Sequence, residues 1–134
     1  RIEKAYREWS HDMGPRDTIT ECGLHFTCDW SKPGGFIGKE YLEGIKQDQV
    51  SRRLVQFKLK DSEALLFHNE PIIRNGKQVG YVASAGYGFT VGASIAMGYI
   101  NNTEGVDDEF ILNGEYQIEQ ADRKYHAVPT IKPF

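Results

Sequence analysis

The side chains with the most chemical capacity are two cysteines, four histidines and a scatter of carboxylates. Cys22 and Cys28 are separated by five residues, with His25 between them. A structural zinc site closes with a second pair of Cys or His at ligand spacing, and His11, His68 and His126 are too dispersed to supply one. No metal is expected, and Cys22 and Cys28 read as small buried thiols. His11-Asp12 has the residue types of an acid/base pair, but adjacent side chains rarely aim at one atom. His11 therefore reads as a structural group at the end of a helix. Ser84 lies in Val82-Ala83-Ser84-Ala85-Gly86, which lacks the leading glycine of a nucleophile elbow.

Gly86-Tyr87-Gly88, followed by Gly92, approaches a dinucleotide-binding loop with the third glycine one position late. Such a loop needs a helix opening directly after it, so that free amides meet the pyrophosphate. Ser94 to Tyr99 reads as a strand, so these glycines are expected to permit bends in a β connection. Asn101-Asn102-Thr103 fits a glycosylation acceptor and equally well a turn. Generic motifs thus leave the chemistry undetermined.

The elements that must position these groups divide the chain in two. Ile2, Tyr6 and Trp9 form one stripe of a helix over residues 1 to 9, with Glu3 and Arg7 at i,i+4 as an ion pair. Gly14-Pro15 is a turn, with Asp17 and Thr18 as turn formers or caps. Leu24, Phe26, Cys28 and Trp30 alternate with polar residues, the period of a half-buried strand. Ile37, Tyr41, Leu42 and Ile45 have helical spacing over 37 to 46, weakened by Gly38 and Gly44. Gln47-Asp48-Gln49 is the candidate boundary. Beyond it the chain reads as almost pure β. Val55, Phe57 and Leu59 alternate with Gln56, Lys58 and Lys60, a strand with one wet face. Asn75-Gly76 and Asn113-Gly114 each stand inside strand-like runs and predict tight hairpins, because both residue types tolerate positive φ. Tyr81 to Ala85, Ser94 to Ile100 and Ala127 to Ile131 complete six or seven short strands, expected to close into an antiparallel barrel. The fold class is α+β, mainly β, with a short mixed helix/strand segment ahead of the barrel.

The 134 residues suit one domain, or one domain and a piece of another. Hydrophobic residues at 40% and charged residues at 26% argue against disorder, and a net charge of -3 argues against a nucleic-acid partner held by phosphates. There is no run of eighteen apolar residues, so no membrane partner is expected. A chain that opens at Arg1 inside an apparent helix and stops at Pro133-Phe134 reads as a fragment cut at both ends.

Arg1-Ile2-Glu3-Lys4-Ala5-Tyr6-Arg7-Glu8-Trp9 resembles a helix of the glycine-cleavage T-protein (aminomethyltransferase) superfamily. Glu21-Cys22-Gly23-Leu24, Phe36-Ile37-Gly38-Lys39-Glu40, Arg52-Arg53-Leu54-Val55 and Glu70-Pro71-Ile72 narrow the likeness, as do Asn75 to Gly80, Tyr87 to Thr90 and Ala96 to Ile100. In this order they resemble the C-terminal end of the sarcosine and dimethylglycine dehydrogenase family, and Gly114-Glu115-Tyr116 with Lys132-Pro133-Phe134 is most similar to the sarcosine enzymes. That resemblance implies an N-terminal FAD domain that oxidises an N-methyl amine. It also implies a C-terminal half that binds tetrahydrofolate and makes 5,10-methylenetetrahydrofolate. Residues 1–48 would be the tail of the folate-binding domain and 50–134 the barrel. The FAD domain and most of the folate pocket would lie upstream, as partners on the same polypeptide, and the fragment alone would hold no cofactor and be inactive. The compartment would be the mitochondrial matrix in a eukaryote and the cytoplasm in a bacterium.

Two cofactor-binding residues carry over by resemblance, and no catalytic ones. Arg1 matches the arginine of the folate pocket, and Trp9 stands where T-proteins often carry a tyrosine near the pteridine. The alternatives are a solvated helix charge for Arg1 and a core aromatic for Trp9. Two other families share this segment: a glycine-cleavage aminomethyltransferase without FAD, and a non-enzymatic relative such as the regulatory subunit of pyruvate dehydrogenase phosphatase.

Overall fold

A computed structural model describes residues 1–45 and 49–134. Six strands, β1 (Arg52–Leu59), β2 (Pro71–Arg74), β3 (Lys77–Gly88), β4 (Ala93–Asn101), β5 (Tyr116–Gln120) and β6 (Arg123–Thr130), close a barrel in the order β1-β4-β3-β2-β5-β6. Every neighbouring pair is antiparallel. Closure leaves no unpaired sheet edge.

Inward-facing Val55, Phe57 and Leu59 of β1 pack with Ile72, Val82, Ile100, Ile118 and their neighbours into the main core. The outer face of β1 is not wet as its alternation suggests. Residues 1–23 run over the outside of β1 and β4, and Leu54, Met97 and Tyr99 form a second cluster with Ala5. Gln56 is buried there and donates from Nε2 to the Ile2 carbonyl at 2.6 Å. The Leu54 amide donates to Glu21 O at 2.8 Å, so the segment is tied to the barrel by its backbone as well.

The Asn75-Gly76 turn forms as expected, with φ of 49° and 80° between β2 and β3. Asn113-Gly114 does not. Phe110-Ile111-Leu112 belongs to a short helix (Asp108–Leu112), capped by the Asp107 carboxylate on the Phe110 amide, and Asn113 is its C-cap with φ of -85°. A side-chain cap upstream converted an apparent strand run into a helical turn. The β5–β6 hairpin turns instead at Ala121-Asp122, both at positive φ.

The first segment also departs from its pattern. Residues 1 to 9 are turns rather than a helix, with Ala5 at φ 53° and Ser10 at φ 70° interrupting any helical run. Glu3 does not pair with Arg7; its carboxylate accepts the Thr90 and Val91 amides at 2.7 and 3.1 Å. The alternating run from Leu24 to Trp30 holds a single 3-10 turn, His25–Thr27, and no strand, and Phe26 is 80% exposed. The mixed segment is therefore helix and turn, without a strand among its described residues. The helix expected over 37 to 46 is five residues, Lys39–Glu43, and Ile37 is exposed. Of the candidate boundary, Gln47 and Asp48 lie outside the described residues. Gly86 and Gly88 lie within β3, Phe89 to Gly92 forms the β3–β4 turn, and strand β4 follows where a nucleotide loop would need a helix.

Candidate functional site

The chemistry expected near the N-terminus is organised by Asp12, which the sequence offers only as the neighbour of His11. Its side chain is fully buried. The carboxylate accepts three hydrogen bonds: Arg1 Nη1 at 2.8 Å, the Glu8 amide at 2.8 Å and Ser84 Oγ at 2.6 Å. The Asp12 carbonyl accepts the Tyr99 hydroxyl at 2.8 Å. A buried carboxylate is tolerable only when charge and lone pairs are matched in this way. Ser84 reaches it from β3 just past a bulge between Val82 and Ser84 that leaves Ala83 without a partner on β4. Bulges commonly re-aim a side chain beside a site.

Arg1 is thus not a solvated helix charge. Its Nη1 donates to Asp12 and to the Tyr6 carbonyl, both at 2.8 Å, and Nη2 lies 3.4 Å from Glu8. The side chain keeps 37% of its exposure, so the fixed side chain stays partly open to solvent. Trp9 is not a core aromatic either: it is 62% exposed, at the start of the turn that Met13 closes by a bridge. The two flank the Glu8–Asp12 turn, and no hydrogen bond or stacking contact joins them among the described residues. His11 stands beside a turn rather than a helix end.

Tyr99 and Cys22 are 3.3 Å apart in the second cluster. Burial pushes both the Tyr99 phenol and the Cys22 thiol up, so both stay protonated at neutral pH. Cys22 is buried as expected, whereas Cys28 is only partly so. Arg7 binds the carbonyls of Ala5, Cys22 and Gly23 and acts as a structural tie. Among the described residues no group of three His, Cys, Asp or Glu side chains could hold a metal.

A cleft of about 810 Å³ opens between this segment, the 23–30 loop and the C-terminal tail. Arg7, His25, Trp30, Arg53 and Gln56 line it, and the Gln56 Oε1 atom is buried without a partner. Its volume is that of a small-molecule site. Neither Arg1 nor Trp9 lines it. Asp12 and Ser84 are 72 residues apart, and no local spacing could have paired them.

Residues 52–134 match the family model described as glycine cleavage T-protein C-terminal barrel domain. The chain is 40% identical over 136 residues to "Sarcosine dehydrogenase, mitochondrial" of Homo sapiens, covering 99% of this chain and 15% of that protein. It is 33% identical over 144 residues to the mitochondrial pyruvate dehydrogenase phosphatase regulatory subunit of Mus musculus, covering 99% and 16%. The crystal structure of glycine cleavage system aminomethyltransferase T from Bartonella henselae superposes with a TM-score of 0.70 at 22% identity, over 95% of this chain and 34% of that one. The chain therefore spans about 15% of the length of the curated relatives it matches.

Proposed function

The chain belongs to the glycine cleavage T-protein C-terminal barrel family and is similar to the C-terminal region of sarcosine dehydrogenase, and from this we propose that it is part of a flavin- and tetrahydrofolate-dependent dehydrogenase of N-methyl amines such as sarcosine or dimethylglycine. Residues 1–48 are the tail of its folate-binding domain, and 50–134 are the barrel that closes over it. The observation that carries the reading is Arg1, a cation fixed by a buried carboxylate on a side chain that is still partly exposed. Such a group fits the carboxylate or acceptor edge of a folate, since guanidinium pairs well with both. The exposed Trp9 indole offers a planar face for a pteridine beside it. These side chains form one wall, and the upstream domains supply the rest. When bound, tetrahydrofolate supplies the amine nitrogens that take up the one-carbon unit. The work of this chain is to bind and orient it.

Among the described residues the glycine run does not fit FAD: Gly86 and Gly88 lie in β3, and the Phe89–Gly92 turn leads into strand β4 and presents no helix amides to a pyrophosphate. FAD belongs to the upstream region of the parent, and the 134-residue chain alone neither holds it nor turns over an amine. The compartment is the mitochondrial matrix in a eukaryotic source and the cytoplasm in a bacterial one.

In the intact parent, Arg1→Ala is expected to weaken tetrahydrofolate binding by about 1.5–3 kcal/mol, the range for a hydrogen bond to a charged group. Amine oxidation at the flavin should stay nearly unchanged. Calorimetry with tetrahydrofolate and a dye-reduction assay measure the two effects. Unaltered folate binding, or equal loss at both sites, overturns the assignment of Arg1. Similarity to the phosphatase regulatory subunit supports a second reading, a non-catalytic partner protein. An FAD-binding Gly-rich βαβ unit at the start of the parent reading frame excludes a folate transferase without FAD, and turnover of an amine by the parent excludes the partner reading.

A further inference from the structure

On the side of the barrel where β1, β3 and β4 meet the Ser10–His11 turn lies a second, smaller cleft of about 360 Å³. His11 from the N-terminal segment and His68 from the loop before β2 face each other across it, edge to face, with ring centroids 6.3 Å apart. Arg52 of β1 forms its floor. The Arg52 guanidinium stacks 3.6 Å over the Tyr99 ring and gives Nη1 to Asp17 at 2.5 Å. Its Nε and Nη2 have no acceptor among the described residues, and neither do the rings of His11 and His68. Ser10 and Asn69 add a hydroxyl and an amide to the lining, and no described carboxylate lines the cleft.

The backbone supports the same convergence. Ser10 precedes His11 at φ 70°, and Asn69 follows His68 at φ 68°. Left-handed backbone at non-glycine residues is strained and is retained where the surrounding structure fixes it, often at functional sites. Ser10 carries that strain, asparagine tolerates the left-handed region, and both residues adjoin the imidazoles and line the cleft. A cation would meet the guanidinium, which does not deprotonate. A small oxyanion beside the edge-to-face pair would meet the free N–H groups of Arg52 and an imidazole edge.

We propose that the His11–His68–Arg52 cleft is a binding site for a small oxyanion of the phosphate or carboxylate class, distinct from the Arg1–Trp9 wall and independent of the folate reading. Asp12 beside His11 is paired with Arg1, and Asp17 holds Arg52. Glu70 is buried behind Asn69, with Oε1 accepting the Phe67 amide at 2.6 Å and Oε2 without a partner. The Tyr99 phenol is bonded to Asp12 O, and Tyr81 is the remaining titratable group at the rim.

The test uses the whole chain and its histidine ring resonances. Inorganic phosphate titrated at constant pH should shift the His11 and His68 ring resonances together and saturably. Glutarate in a parallel titration tells a carboxylate from a phosphate ligand, and tighter binding of either supports the site. His11→Ala and His68→Ala, both at exposed positions, should each weaken binding about threefold or more without shifting the thermal midpoint. Chloride at matched ionic strength reproducing the shifts overturns the proposal. So does unchanged affinity in both variants, or saturable binding of zinc by the two histidines without any response to phosphate.

Discussion

Asp12 carries a negative charge into a region without water, and three donors from three parts of the chain meet it there. Removing the carboxylate leaves the Ser84 hydroxyl, the Glu8 amide and the Arg1 guanidinium short of an acceptor. Asp12→Ala should therefore destabilise the chain by about 2–4 kcal/mol, and Ser84→Ala by about 1 kcal/mol, in urea unfolding. Asp12→Asn should fall between them, because an amide oxygen still accepts but no longer balances Arg1. A smaller loss for Asp12→Ala than for Ser84→Ala would remove Asp12 from the centre of the network. Asp17 makes the companion prediction in pH. Partial burial acts to raise its carboxyl, but hydrogen bonds from Arg52 and the Gly14 amide, with the Arg52 charge, outweigh it and hold the group below the ordinary aspartate value. A carboxylate with a lowered folded-state pKa stabilises the fold above its unfolded value of about 3.9. That contribution disappears as pH falls through the lower, folded-state value. Asp17→Asn should flatten this acid limb of stability against pH and leave the limb above neutrality unchanged.

At the scale of the element, two glycines separate backbone strain from steric exclusion. Gly76 sits in the β2–β3 turn at φ 80°, with open space where a Cβ would stand. Gly76→Val should cost about 1 kcal/mol, from backbone conformation alone. Gly80 in β3 has ordinary φ, but a Cβ there would lie 1.8 Å from the Tyr99 carbonyl oxygen on β4. Gly80→Ala can be accommodated only by parting two paired strands, at a cost of about 3 kcal/mol or more. Denaturant melts of the two variants should keep that order. The Asn75-Gly76 turn was legible because its residues demand the conformation they adopt. Asn113-Gly114 has the same letters, but the Asp107 cap fixes the preceding turn as helix and leaves Asn113 in ordinary right-handed backbone.

Across the whole molecule, residues 1–23 act as a strap on the outside of the barrel. Leu54, Met97 and Tyr99 lie beneath it, and Arg52 and the Leu54 amide bond to it. Deleting residues 1–23 should expose these apolar side chains and lower stability by at least about 3 kcal/mol, at about 1.5–3 kcal/mol for each large side chain uncovered. It should also raise binding of a hydrophobic dye. Unfolding midpoints and dye fluorescence measure both effects, and an unchanged midpoint would mean that the barrel stands without its strap.

The barrel was readable from local pattern because a strand's period of two and a turn's positive φ are set by a few neighbouring residues. β1, β3, β4 and the Asn75-Gly76 turn all follow from such runs. The order and spacing of short motifs also pointed to the family that the match over residues 52–134 shows. What the local pattern misread is what distant contacts govern. The apolar stripe of Ile2, Tyr6 and Trp9 has helical spacing, yet Arg7 is drawn to the Cys22 and Gly23 carbonyls and Glu3 to the β3–β4 turn, and the segment lies extended by turns across the sheet. Gln56 looks solvent-facing on β1 until that strap covers it. The sequence marks Asp12 only as the neighbour of His11, a pairing that does not form. Its importance comes from Arg1 and from Ser84 meeting it in a site closed to water, where one unmatched charge costs more than any local preference supplies.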